Sequence, residues 1–216
     1  MSAGRMSEGK QFLAQARGVI HVGANEGQER DLYAAHRLPV VWIEPIPEVF
    51  ERLRRNISGY PGQRAYQALI TDADGKPYEF HIANNDGESS SIFDLADHRD
   101  VWPDVSYERR ITLKGITLAS FLDRHAIDVA GFDTLVMDTQ GSELLVLTGA
   151  QSILHRIEQV WTEAADFEAY RDGARLEDIG DFLSARGFRE VHRAAFADRA
   201  KGGAYYDVLY RRDRPG

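Results

Sequence analysis

Short apolar runs alternate along the chain with stretches whose apolar positions recur every three or four residues. That alternation is the sequence form of a parallel sheet covered by helices on both faces. The first run, Gly18-Val19-Ile20-His21-Val22, leads into a turn with two glycines, Gly23 and Gly27, and a helical stretch to about His36. A second run, Val40 to Glu44, passes through Pro45 and Pro47 into a segment whose Val49, Phe50 and Leu53 share one helical face. A third strand is expected around Arg64 to Ile70, and Tyr78 to Ile82 alternates as a half-exposed strand does. Further on, a helix after Thr117 turns Leu118, Phe121 and Leu122 inward, and Thr134 to Asp138 reads as a buried strand. Leu144–Leu147 and Ile153-Leu154 continue as helix, Ile157 to Thr162 forms a strand ending at Glu163, and Arg175 to Arg186 is an amphipathic helix closed by Gly187. Phe188–His192 and Ala204–Tyr210 have no helix between them and are predicted to pair as an antiparallel hairpin. The expected fold is therefore α/β, doubly wound and mostly parallel, with a C-terminal antiparallel hairpin.

Length and composition narrow this picture. The 216 residues suffice for one well-buried domain and not for two with a linker, so residues 1–216 are read as a single domain, with 1–17 as an N-terminal helix or tail. A net charge of −8, from 34 acidic and 26 basic residues, offers no basic footprint for a phosphate backbone, so nucleic acid is not expected as a partner. Cysteine is absent, which removes disulfides and thiolate metal sites. No signal-like segment and no run of about 18 apolar residues is present, so a cytoplasmic protein without a membrane partner is expected.

The candidate chemistry lies where strands end. A strand–glycine turn–helix unit opens a crevice at the carboxyl edge of such a sheet, where these folds bind ligands. Gly23 and Gly27 sit in that turn, either to admit a ligand or merely to make the turn. Glu44 ends the second strand 21 residues after Gly23, the spacing of an acid that accepts hydrogen bonds from ribose hydroxyls. The loop Gly23-Ala24-Asn25-Glu26-Gly27 lacks the G-x-G-x-x-G pattern that seats a pyrophosphate, and Glu26 near the helix start would repel one. A nucleoside cofactor with positive charge and no pyrophosphate suits it better.

Asp138, after four apolar residues, faces the same crevice and could hold a cofactor ammonium, orient an acceptor, or cap the next helix. Asp138 and then Glu163, a further acid at the carboxyl edge, are the candidates to accept a hydroxyl proton, while Glu143 could take a proton or simply complement the helix dipole. The seven histidines, His21 and His81 among them, show no short-spaced ligand pairs, so no metal is expected. The polar stretch Asn84 to Ser91 reads as solvent padding or a substrate-side flap, in which Ser89, Ser90 and Ser91 could bond a polyol acceptor. His98, Trp102, Tyr107 and Phe167–Tyr170 could roof a pocket or serve as packing. No G-x-S-x-G elbow supports a hydrolase.

Taken together, Val19–Gln28, Trp42–Pro47, Ser89–Ser91, Leu135–Leu144 and Leu147–Ala150 resemble the FkbM family of methyltransferases, over about residues 18 to 190. The resemblance implies a class I, Rossmann-like seven-stranded fold, S-adenosyl-L-methionine as cofactor, and methyl transfer to a hydroxyl of a small metabolite, sugar or polyketide-type acceptor. It implies that Gly23, Ala24, Asn25 and Gly27 line the cofactor, that Glu44 binds its ribose, and that Asp138 stands near the reacting centre. His21, Pro45 and Leu69 are expected beside the cofactor as well. The sequence departs from the family in carrying His21 where an Asp is frequent and Gln140 where a Glu is frequent; Gln140 cannot act as a base. An NAD-dependent oxidoreductase on a similar sheet and a non-catalytic cofactor-binding module are the competing readings.

Overall fold

A computed structural model describes residues 10–213. Its main sheet has seven strands: β1 (Val19–Val22), β2 (Val40–Glu44), β3 (Gln63–Gln67), β7 (Thr134–Met137), β8 (Gln159–Ala165), β9 (Phe188–Asp198) and β10 (Ala204–Arg212). Their spatial order is β3-β2-β1-β7-β8-β10-β9, with β10 antiparallel to both neighbours and the other pairs parallel. This is the doubly wound class I arrangement with the reversed C-terminal strand the sequence predicts. β9 runs to Asp198, six residues beyond its apolar segment, because its outer part pairs with β10 around two register shifts.

Period-two alternation sorts the side chains of the central strands into two cores. Ile20, Val22, Val41, Ile43, Leu135 and Met137 pack on one face against α3 (Leu118–Arg124), α4 (Glu143–Gly149) and α5 (Leu176–Ser184). Val19, Val40, Trp42, Val136 and Trp161 face the other way, onto α1 (Arg30–Ala35), α2 (Pro47–Asn56) and the 3-10 turn Lys10–Gln15, which contributes Phe12 and Leu13. Thr117 caps α3 by accepting from the Ser120 N–H, and Pro47 starts α2, where a missing N–H costs nothing.

Two expectations change here. The predicted third strand divides at Ala68: β3 pairs with β2, while β4 (Leu69–Ile70) joins a separate three-stranded sheet of order β4-β6-β5. β5 (Pro77–Ala83) matches the expected strand, but its antiparallel partner β6 (Tyr107–Ile116) was not foreseen, because its outer residues are charged and exposed. Among the described residues no helix is long and apolar enough to cross a membrane.

Candidate active site

At the carboxyl ends of β1, β2 and β7 lies an open cleft with about 980 Å³ of space, the solvent at its mouth included. Its floor is the glycine turn. The Gly23 and Ala24 N–H groups donate to the Ile43 carbonyl at 3.0 and 3.1 Å, which holds the turn against β2. Asn25 takes a left-handed conformation (φ 43°) that its short amide tolerates, and its Oδ1 accepts from the Glu26 N–H. Gly23 (φ 78°) has a further reason to be glycine: a Cβ there would stand 1.8 Å from the Asp138 carbonyl oxygen. Its role is thus to let the exits of β1 and β7 converge.

Glu44 is buried, and both of its oxygens are placed by backbone. Oε2 accepts from Asn25 N–H and Oε1 from Ile46 N–H, each at 2.9 Å. Burial pushes its pKa up to about 8 despite those two donors. Each carboxylate oxygen retains capacity to accept a further hydrogen bond, as a ribose diol requires. Pro45, Ile46, Leu69 and Phe80 form an apolar stretch of wall beside it.

On the opposite wall Asp138 follows β7. Burial raises its pKa to about 7, while the Gln140 amide, donating to Oδ1 at 2.5 Å, favours the ionised form. Gln140 is held in turn. Tyr170 donates to its Oε1, Ser91 donates to its carbonyl at 2.7 Å, and its backbone is left-handed at φ 53°. Asp138 does not cap α4; Ser142 occupies the N-cap position.

The acids sort differently from the sequence reading. Glu26 points away from the cleft into an ion pair with Arg52, so the repulsion assigned to it fails. Glu29, at the N-cap of α1, lines the cleft instead, and burial raises its pKa. Glu143 Oε1 accepts from Thr139 N–H, Thr139 hydroxyl and Gly141 N–H, so it closes its own loop and lies outside the cleft lining. Glu163 is not a strand end: β8 continues two residues further, and Glu163 pairs across to Asp207, a lining residue the sequence pattern did not single out. Gly27 is likewise not in the lining; it packs under Leu53 of α2.

His21 lines the cleft but belongs to the aromatic core. Its ring stacks on Trp42 with centroids 4.9 Å apart, and Nδ1 lies 3.2 Å from the Tyr33 hydroxyl. Burial lowers its pKa to about 3, so it is a neutral ring at any ordinary pH. No group of acids and histidines with metal-holding geometry occurs among the described residues.

A second cavity, with about 510 Å³ of space including the solvent at its opening, lies beside the first and shares Glu88, Gln140 and Glu163 with it. The polar stretch before it is an ordered turn rather than a loose flap. Ser90 accepts from Ala83 N–H, Ser89 is bonded to Asn85 by side chain and backbone, and Ser91 bridges to His81 and Gln140. All three serines therefore have structural work; Ser90 also lines the first cavity and Ser89 the second, while Ser91 lines neither. His98 is buried, with Nδ1 2.6 Å from Tyr205 hydroxyl and Nε2 3.1 Å from Ser89 hydroxyl; burial lowers its pKa to about 4. Trp102 and Tyr205 join it in the cavity wall, Tyr170 packs behind, and Tyr107 meets His81 edge-on elsewhere.

The methyltransferase FkbM domain model matches residues 21–190, most of the chain. The chain belongs to the FkbM methyltransferase family. S-adenosyl-L-methionine is the cofactor that goes with this family, and the cleft fits it: an acid with two free acceptor positions, an apolar wall, and no Lys or Arg among the described lining residues. No curated protein matches the FkbM chain in sequence. Solved structures share its fold at low identity. Sp1610 of Streptococcus pneumoniae, a candidate tRNA (m1A22) methyltransferase in complex with S-adenosyl-L-methionine, has TM-score 0.57 and 12% identity, covering 100% of this chain and 75% of that one. The methyltransferase domain of bacterial CtHen1-C has TM-score 0.54 and 11% identity, with 98% of both chains covered. A protein of the NADB-Rossmann superfamily from Streptococcus agalactiae has TM-score 0.51 and 12% identity, covering 96% and 68%.

Proposed function

We propose that this FkbM protein transfers a methyl group from S-adenosyl-L-methionine to a hydroxyl of a small metabolite, sugar or polyketide-type acceptor. The observation that carries this reading is the meeting of two cavities at Glu163, Glu88 and Gln140, one suited to the cofactor and one to an acceptor. Bound S-adenosyl-L-methionine supplies an electrophilic methyl group on a sulfonium. The chain's own residues do the rest. Glu44 accepts the ribose hydroxyls, the turn Gly23-Ala24-Asn25 offers backbone to the methionyl end with His21 beneath it, and Pro45, Ile46, Leu69 and Phe80 flank the base.

Alignment of two bound reactants is the main source of rate enhancement in such a transfer, and a carboxylate that accepts the hydroxyl proton adds to it. Glu163 is the first choice for that proton because it lines both cavities, and Asp138, which lines the cofactor cleft alone, is the second. Glu143, enclosed in its loop, contributes by shaping the turn that carries Asp138. A small acceptor is favoured over nucleic acid because neither cavity has a described Lys or Arg in its lining to neutralise phosphate. The same absence, with Glu29 at the start of α1, disfavours a dinucleotide.

The test is methyl transfer from labelled S-adenosyl-L-methionine across a panel of hydroxylated metabolites. One methyl should appear on oxygen, and Glu163→Gln should lower kcat on the order of 100-fold with little change in cofactor affinity. Methylation at nitrogen or carbon alone, or full activity in Glu163→Gln, would contradict the assignment.

A further inference from the structure

Ser89, His98 and Tyr205 form one hydrogen-bonded line in the wall of the second cavity, and each is more than nine-tenths buried. Their distances assign the protons. The 2.6 Å contact between Tyr205 hydroxyl and His98 Nδ1 has the length of an O–H donor, and the 3.1 Å contact between His98 Nε2 and Ser89 Oγ has that of an N–H donor. Tyr205 therefore donates to Nδ1, and the neutral ring carries its proton on Nε2 and donates it to Ser89. Burial pushes the Tyr205 phenol up and the His98 ring down, which keeps the first protonated and the second neutral. Ser89 Oγ accepts a second hydrogen bond from Asn85 Nδ2 at 2.9 Å. Both lone pairs of that oxygen are then filled, and neither bond uses the hydroxyl's own proton. Among the described residues no further bond to this hydroxyl occurs.

A buried O–H without an acceptor is costly, and a ligand oxygen in the cavity removes that cost. The pattern also says which oxygen fits. An alcohol would bring a proton of its own to a place where both Ser89 lone pairs and both His98 nitrogens are engaged. A carboxylate would give up its hydration for one neutral donor. A carbonyl accepts and has nothing to donate. Building on the methyltransferase reading, we infer that the second cavity is an acceptor subsite for a carbonyl compound, whose carbonyl oxygen accepts from Ser89 while a hydroxyl of the same molecule faces the rim shared with the cofactor cleft. Trp102, packed against the rings of His98 and Tyr205 with centroids 4.7 Å apart in each case, offers apolar surface beside that donor. Ser89 is thus a specificity-determining residue, and His98 and Asn85 fix the direction of its proton.

Three probes of nearly one shape test this: acetophenone, 1-phenylethanol and ethylbenzene, titrated by ligand-observed NMR into the full chain saturated with S-adenosylhomocysteine. The ketone should bind about three-fold more tightly than the alcohol and on the order of ten-fold more tightly than the hydrocarbon. Ser89→Ala should bring ketone and hydrocarbon to within about two-fold of each other, and Trp102→Ala should weaken all three probes. Tyr205→Phe, which removes a hydroxyl whose proton is already committed to His98, should keep the ketone preference whatever it does to the separate affinities. Long-range proton–nitrogen NMR of the histidine-labelled wild-type chain, with His98 assigned by its loss in His98→Gln, should show the ring protonated at Nε2. Equal binding of the ketone and either comparison compound, a ketone preference that survives Ser89→Ala or vanishes in Tyr205→Phe, or a His98 ring protonated at Nδ1 overturns the inference. S-adenosylhomocysteine titrated alone separates the two levels: if it fails to bind, the methyltransferase reading falls and this one with it; if it binds and no ketone preference follows, this inference alone falls.

Discussion

The cofactor cleft and the second cavity are neighbours built by different means. The cleft is made of backbone: turns at the ends of β1, β2 and β7 whose N–H groups and carbonyls are tied to one another, with Glu44 pinned between them. The second cavity is made of side chains drawn from distant segments, His98 and Trp102 from the stretch before β6 and Phe196 and Tyr205 from the C-terminal hairpin. A backbone site tolerates few changes and serves one ligand, whereas a side-chain site can be respecified residue by residue.

The sharpest way to break the cleft is at Gly23. Gly23→Ala would drive a methyl into the Asp138 carbonyl in addition to straining a positive φ, and a loss of about 4 kcal/mol is expected, read as a collapsed Tm. Gly75 has nearly the same φ (76°) but open space around it, so Gly75→Ala should cost only roughly 1–2 kcal/mol. Equal losses would show that strain, and not the convergence of β1 and β7, fixes Gly23. Next in size, Glu44→Ala should weaken S-adenosylhomocysteine binding on the order of 100-fold by calorimetry.

Tyr170→Phe probes the join between the two regions. Without the hydroxyl the Gln140 amide loses its fixed orientation, and with it the donor to Asp138. Turnover should fall about five- to ten-fold with the cofactor dissociation constant nearly unchanged, and the pH profile of kcat should shift to higher pH.

The smallest effect is on stability against pH in the cofactor-free protein. Glu44 and Asp138 hold their protons more tightly folded than unfolded, with folded values of about 8 and 7. Their stabilisation is therefore complete at low pH and is lost as pH rises through those values. His21 and His98, at about 3 and 4, act oppositely: they are stabilising above the unfolded value and lose that contribution only in acid. Between pH 6.5 and 8.5 the loss from the two acids outweighs the smaller gain from His21 and His98, whose unfolded rings finish losing their protons just above 6.5, so Tm should drop by roughly 5 °C, and Asp138→Asn should flatten part of that drop.

The contrast also decides what could be read from the sequence. Strand periodicity, the Gly23 turn and the spacing to Glu44 are local signals, and each leads directly to a wall of the cleft. Glu26 and Glu29 lie three residues apart, and only the geometry of the turn tells which faces the ligand. Glu26 turns out to Arg52 and Glu29 turns in. His21 looked like a departure at a cofactor position, yet its place on the Trp42–Tyr33 face makes it an aromatic core residue whose ring happens to underlie the cleft. Around the second cavity the signals are long-range. The serine-rich stretch has the composition of a loose loop, and its order comes from partners such as Gln140, 49 positions away from Ser91. β6 escaped notice because it shields a face with charged residues, and Asp207 gains meaning only through its register with Glu163.

The central claim is that the cleft is built for a positively charged nucleoside cofactor without a pyrophosphate. Calorimetric titration of the protein with S-adenosyl-L-methionine, S-adenosylhomocysteine and NADH tests it most directly, at pH 6.5 and again at pH 8.5. Saturable binding of both sulfur compounds is predicted, with S-adenosyl-L-methionine gaining more than S-adenosylhomocysteine at the higher pH as Asp138 and Glu44 ionise, and no binding of NADH. Binding of NADH in preference to either, or an affinity for S-adenosyl-L-methionine that falls as the carboxylates ionise, would contradict it.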